Sequence, residues 1–169
     1  MTQTEMIAMI DASWRELDAA IAGLEETALL EPGVVESWSI KDLLGHVTAW
    51  EQLALQYLEC WRRGEPPPAR DWDSTDAYNA REAARRASWT LAQVQDEAAD
   101  TRRGLHALLA TITDEEWTSR VTIRERERPL GEWVGGALSG DEGPGTHAAE
   151  HAAQIWAWRA AREHGGTVG

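Results

Sequence analysis

From Thr4 to about Ala28 the apolar residues Met6, Ile10, Trp14, Leu17, Ile21 and Leu24 recur three and four apart, the period that turns one face of an α-helix inward. This predicts a first helix over the whole stretch. Pro32 and Gly33 in "EPGVVESWS" break the period, and Ser39 is placed to cap a second helix with its side-chain oxygen. Ile40, Leu43, Leu44, Val47, Trp50, Leu53, Tyr57, Leu58 and Trp61 carry that helix to "RRGEPPP". There Arg62 and Arg63 suit the negative helix end, Gly64 supplies a left-handed cap, and three prolines forbid continuation.

A third helix starts behind Asp73 or Ser74 in "DWDSTDAYNAREAARRAS", where Ala and Arg favour helix but the apolar stripe is weak; Ser88 either interrupts it or caps a further segment. From Trp89 onward Leu91, Val94, Ala98, Leu105, Leu108, Leu109 and Ile112 restore helical spacing, and "TDEEW" reads as a short capped turn of helix. "VTIRERER" alternates as an extended segment does, yet a single short stretch cannot build a sheet, so it reads as an exposed connection. "RPLGEWVGGALSGDEGPG" holds six glycines and two prolines, which ends any helix begun at Pro129 near Gly140. The final helix runs from about Thr146 to Glu163. Four principal helices without a convincing strand pair predict an all-α four-helix bundle, with a short extra helix and an extended connection between its third and fourth helices.

Composition narrows the function classes. A chain of 169 residues is the size of one domain, taken as 1–169. A net charge of −13, from 16 basic and 29 acidic residues, argues against nucleic acid and anionic membrane as partners, because binding phosphates relies on clustered Lys and Arg. One cysteine, Cys60, leaves no internal disulfide, and no basic and apolar leader precedes the first helix; a cytoplasmic protein is expected. No apolar run approaches the roughly 18 residues needed to span a bilayer. Ten Trp stand beside no Phe, and each indole N–H wants a partner even when its ring is buried. Trp14, Trp50, Trp156 and Trp158 read as core or dimer interface, with some rings available to line a cavity.

The candidate chemistry lies in the histidines. In "GTHAAEHAAQIWAWR", His147 and His151 stand four apart, so they stack on one helix face with β-carbons roughly 5–6 Å apart and can turn ring nitrogens toward one point. His46 sits three after Leu43 and four before Trp50, close to the apolar stripe of the second helix. Three imidazoles from two helices either form an open metal site with positions left for water or substrate, or pack as satisfied core histidines. "HAAEH" also matches the HxxEH string of inverzincin proteases, but such enzymes need a further ligand and a much larger scaffold. His106, near Arg102 and Arg103, and His164, in the glycine-terminated tail, read as surface residues. Cys60 reads as a small hydrophobe. Glu150, Gln154, Tyr57, Tyr78 and Asn79 are ordinary helix residues that also suit a general base or hydrogen-bond donor near the site.

Two stretches carry a resemblance. "GVVESWSIKDLLGHVTAWE" resembles the second-helix signature of the DinB-like, or YfiT-like, four-helix-bundle superfamily, in which Trp-Ser-Ile/Val-Lys-Asp is followed by His; "THAAEHAAQIWAW" resembles its last helix. Matched by position, His46 corresponds to the family ligand on the second helix, and His147 and His151 to the HxxxH ligands on the fourth. The resemblance implies a divalent ion, zinc or nickel, held by three histidines with open water positions, often in a homodimer. The middle segment "DAYNAREAARRASWTLAQVQDEAADTRRGLHALLATITDEEW" is similar to the branch that includes the colibactin self-resistance protein and its DfsB relatives, a branch that protects cells by modifying a reactive small molecule and whose members often do without the three histidines. The glycine-rich "SGDEGPG" before His147 departs from the more continuous helix of relatives. The resemblance therefore implies a metal-dependent enzyme acting on a small molecule or thiol, by thiol-dependent transfer or hydrolytic detoxification, with Glu150 handling the proton. The alternatives are a non-catalytic bundle that sequesters an apolar ligand in a Trp-lined cavity, and a dimerisation scaffold.

Overall fold

The chain begins with a reciprocal cap. In a computed structural model that describes residues 1–69, 71–123, 125–140 and 142–165, without the side chains of residues 164 and 165, Thr2 accepts from Glu5 N–H while the Glu5 carboxylate accepts from Thr2 N–H. The helix so started, α1 (Gln3–Ile21), buries Met6, Ile10, Leu17 and Ala20. It stops well short of Ala28. Gly23 takes a positive φ of 75°, and a separate one-turn helix, α2 (Glu26–Leu29), follows. Leu24 kept the apolar spacing, but spacing says nothing about the left-handed backbone that Gly23 adopts.

The second long helix, α3 (Ile40–Arg63), is bounded as its sequence predicts. Ser39 and Asp42 form a capping box, and Gly64 ends the helix with φ 66°. Ser74 caps α4 (Thr75–Arg86). Thr90, rather than Ser88, caps α5 (Leu91–Leu109), with Gln93 completing the box three residues later. Thr113 and Glu116 do the same for α6 (Asp114–Thr118). The exposed connection expected next is a hairpin: β1 (Arg120–Ile123) pairs antiparallel with β2 (Arg126–Pro129), and Glu125 in the turn has φ 63°. The alternating stretch supplies its own partner strand, a possibility that its short length concealed. The chain then forms α7 (Leu130–Ala137) and α8 (His147–Gly165).

In the resulting all-α bundle α3 packs against α5 and α1 against α8, with α4 and α7 laid against α3. Two apolar clusters fill it. One gathers Leu17, Ile40, Leu43, Val47, Val94 and Ile155; the other gathers Met6, Ile10, Leu58, Leu105, Leu109 and Val134. Trp14 packs against both, at the level where buried polar side chains interrupt the core. Trp156 lies outside the core of the chain, 47% exposed with the Arg159 guanidinium over its ring. No helix among the described residues is long and apolar enough to cross a membrane.

Candidate metal centre

Local structure explains why the three histidines meet. His46 lies nearly two turns into α3, where Gly45 beside it lets the Arg86 side chain cross close to the backbone; a Cβ at position 45 would stand 2.9 Å from Arg86 Cδ. Gly33 and Val34 both donate to Trp38 O, and the loop they form lays the Trp38 ring edge-on to His46, centroids 5.0 Å apart. His147 opens α8, and the glycine-rich segment before it folds back on the end of α7. Gly140 and Gly143 exchange N–H···O bonds at 3.2 and 3.1 Å, and Leu138 O accepts from Gly145 N–H at 3.0 Å and His147 N–H at 3.4 Å. Ser13 Oγ of α1 accepts from Ala149 N–H at 2.7 Å, satisfying one of the bare amides of the new helix from outside it.

The ring nitrogens converge. His46 Nε2 lies 3.0 Å from His147 Nε2, which lies 3.2 Å from His151 Nε2, and one ligand atom of each histidine falls within 4.8 Å of the other two. His151 Nδ1 is 2.7 Å from Gln154 Oε1, an oxygen that only accepts, so Nδ1 donates and Nε2 keeps its lone pair for the centre. Burial, followed by the neighbouring His151, holds the His46 pKa down to about 3; burial, then His46 and His151, holds that of His147 down to about 2. His151 is also pushed below its ordinary value by burial, against the opposing pull of Gln154 and Glu150. All three imidazoles are therefore neutral at pH 7, the form that ligates metal. Tetrahedral zinc with nitrogen ligands at about 2.0–2.1 Å sets nitrogens about 3.3 Å apart. The two separations from His147 are slightly shorter, and the third lies within 4.8 Å, so three neutral nitrogen donors gather at the spacing of such an ion's ligands.

The histidines line an open cavity of about 370 Å³ that Trp50, Asn79, Gly136 and Glu150 also border. A larger hollow of about 500 Å³, flanked by Met6, Trp117, Arg128 and Glu132, shares Gly136 and Ser139 with it. Glu150 therefore stands at the cavity wall, close enough to Gly140 that a Cβ there would meet Glu150 Oε2 at 2.7 Å. Asn79 Oδ1 accepts from Trp50 Nε1 at 3.1 Å, so its carbonyl is already engaged. Tyr78 donates its hydroxyl to Ala49 O, and burial drives its pKa well above the ordinary phenol value, the Glu82 charge adding to the effect; it is no proton donor to the cavity. Tyr57 and Cys60 border a different hollow, beside the hairpin. His106 is exposed, 3.5 Å from Asp11, and the His164 side chain lies outside the described residues.

One buried acid escaped the sequence reading. Glu51 is 3% exposed, accepts from Trp14 Nε1 at 2.5 Å, and has a pKa pushed by burial up to about 7 against the pull of Arg102 and Trp14. The signal was available: position 51 follows Leu44 by seven and Val47 by four, on the inward stripe of α3.

Comparison with known proteins places this arrangement in context. The DinB superfamily pattern matches residues 9–158. No curated protein matches the chain in sequence. Among solved structures, an uncharacterised protein from Escherichia coli UTI89 superposes with a TM-score of 0.79 at 13% identity, over 96% of this chain and 95% of its own. The mycothiol-dependent maleylpyruvate isomerase superposes with a TM-score of 0.71 at 15% identity, over 92% of this chain but 61% of its own. The colibactin self-resistance protein ClbS, in complex with double-stranded DNA, gives 0.73 at 12% identity over 91% of this chain and 93% of its own. At these identities the likeness is one of fold.

Proposed function

The chain belongs to the DinB superfamily, and from that premise we propose that it is a metal-dependent enzyme acting on a small molecule, with His46, His147 and His151 holding a zinc or nickel ion. The observation that carries the reading is the convergence of three neutral imidazole nitrogens, on two helices, at the wall of an open cavity. When bound there, a divalent ion supplies Lewis acidity that makes a coordinated thiol or water more acidic. The protein's own residues do the rest. Gln154 orients His151, Glu150 accepts or returns a proton at the cavity wall, and the adjoining hollow at Gly136 and Ser139 gives room for a second reactant or a long conjugate.

The thiol dependence of the maleylpyruvate isomerase supports a low-molecular-weight thiol as one reactant, giving thiol-dependent transfer, with hydrolytic detoxification as the other reaction of the same site. DNA is held by the colibactin self-resistance protein, but a net charge of −13 opposes a phosphate-backbone partner for this chain. The reading is tested by the metal content of the purified protein with and without His147→Ala. Near-stoichiometric metal in the wild type that is lost from the variant is the expected result. Substoichiometric metal that ignores the substitution overturns the reading in favour of a metal-free bundle that sequesters a ligand.

A further inference from the structure

Three buried side-chain polar atoms among the described residues lack a hydrogen-bond partner: Glu51 Oε2, Arg102 Nε and His147 Nδ1. Buried polar atoms are paired in the great majority of cases, so each orphan calls for something that satisfies it. Glu51 Oε1 is taken by Trp14 Nε1, while Oε2 has only Arg102 Nε at 3.8 Å, beyond hydrogen-bond reach. His147 turns Nε2 toward His46 and His151, so Nδ1, on the far side of the ring, faces back into the bundle. Glu51 and His147 line one narrow cavity of about 10 Å³, with Ser13 and Trp14 beside them. That is the room of a single water, and a buried water needs two or more polar partners.

We infer that Glu51 is the outer partner of His147, joined to it by one internal water between Glu51 Oε2 and His147 Nδ1. His147 Nδ1–H donates to the water, the water donates to the carboxylate, and the Nε2 lone pair stays turned toward His46 and His151. Arg102 backs the carboxylate at 3.8 Å and is itself held by Asp18, 3.1 Å from its Nη1. The site then has two kinds of outer support: His151 is oriented directly by Gln154, and His147 through water by a carboxyl group that, when ionised, raises its basicity as a ligand. Glu51 is a positioning residue, since it borders the small inner cavity and not the open one. The inference rests on the metal-site reading and deepens it.

Zinc titration of the intact protein against a competing chelator tests it. Glu51→Gln is expected to weaken zinc binding about tenfold and Glu51→Leu up to about 100-fold, the usual cost of losing an outer-shell partner. In a His147→Ala background Glu51→Gln should cost nothing further. Unchanged affinity in Glu51→Gln, or an equal loss with and without His147, overturns the inference. If the wild type takes up no zinc, the metal reading falls and the link is read in the metal-free protein instead. Glu51→Gln should then move the imidazole 15N shifts of His147 while sparing those of His151, and unmoved His147 shifts overturn it. Should neither Glu51 variant fold, cross-relaxation between a long-lived water and the His147 ring of the wild type decides, and its absence counts against the inference.

Discussion

Helix α3 is flanked by two buried polar clusters that treat their donors in opposite ways. Toward α4 and α5, Arg86 is 4% exposed and engages all three guanidinium nitrogens: Nε on Glu97 at 2.6 Å, Nη1 on the Glu82 carboxylate at 3.0 Å and carbonyl at 3.2 Å, Nη2 on Gln52 at 2.9 Å. Toward α8, His46 meets two more imidazoles, and the three ring nitrogens face one another and an open cavity. Burial alone does not separate the two clusters. What separates them is satisfaction: a charge matched on every side fixes the packing of three helices, whereas lone pairs aimed at a common point are left to receive something.

Substitutions can break that comparison. Arg86→Met strands Glu82 and Glu97 with reduced compensation, so we expect a loss of about 3–5 kcal/mol in urea unfolding. Its metal affinity, once folded, should be close to wild type. A small stability loss, or a metal defect as large as that of His147→Ala, would erase the distinction between the clusters.

The pH dependence of the metal-free protein sharpens it further. His46 and His147 have folded pKa values depressed below the ordinary 6.5, so the unfolded chain binds more protons below that point. Their contribution is full above pH 6.5 and is lost as pH falls toward 3. Glu51 runs the other way: its folded pKa of about 7 lies above the ordinary 4.5, so its contribution is present below pH 4.5 and is lost as pH rises through 7. Each arm is limited to about 1.4 kcal/mol per pH unit per group. Urea unfolding across pH 4–8 should show Glu51→Gln gaining on the wild type as pH rises, and a constant difference would refute the assignment. The smallest effect concerns Gln154→Leu, which removes the acceptor of His151 Nδ1–H; zinc affinity should drop about tenfold with little change in metal-free stability.

Much of this was legible in one dimension. The caps at Ser39, Ser74 and Thr113 and the stop at Gly64 are local hydrogen-bonding and backbone devices, so the sequence predicts them directly. The stacking of His147 over His151 follows from helix geometry in the same way. The end of α1 is not legible because Leu24 keeps the apolar spacing through a glycine that leaves the helix. The hairpin is not legible either, because a four-residue strand is credible only beside its partner.

The chain by itself determined which residues form helices, which faces turn inward, and that two imidazoles share one face, since these depend on neighbours within about a turn. Tertiary structure alone decided that His46 comes within 3.0 Å of His147, 101 positions away. It also took Tyr57 away from the site, exposed Trp156, and set Glu51 behind His147 in a water-sized cavity. Those outcomes depend on how far one helix slides and turns against another. That register is fixed by the packing of the whole core, and no local period encodes it.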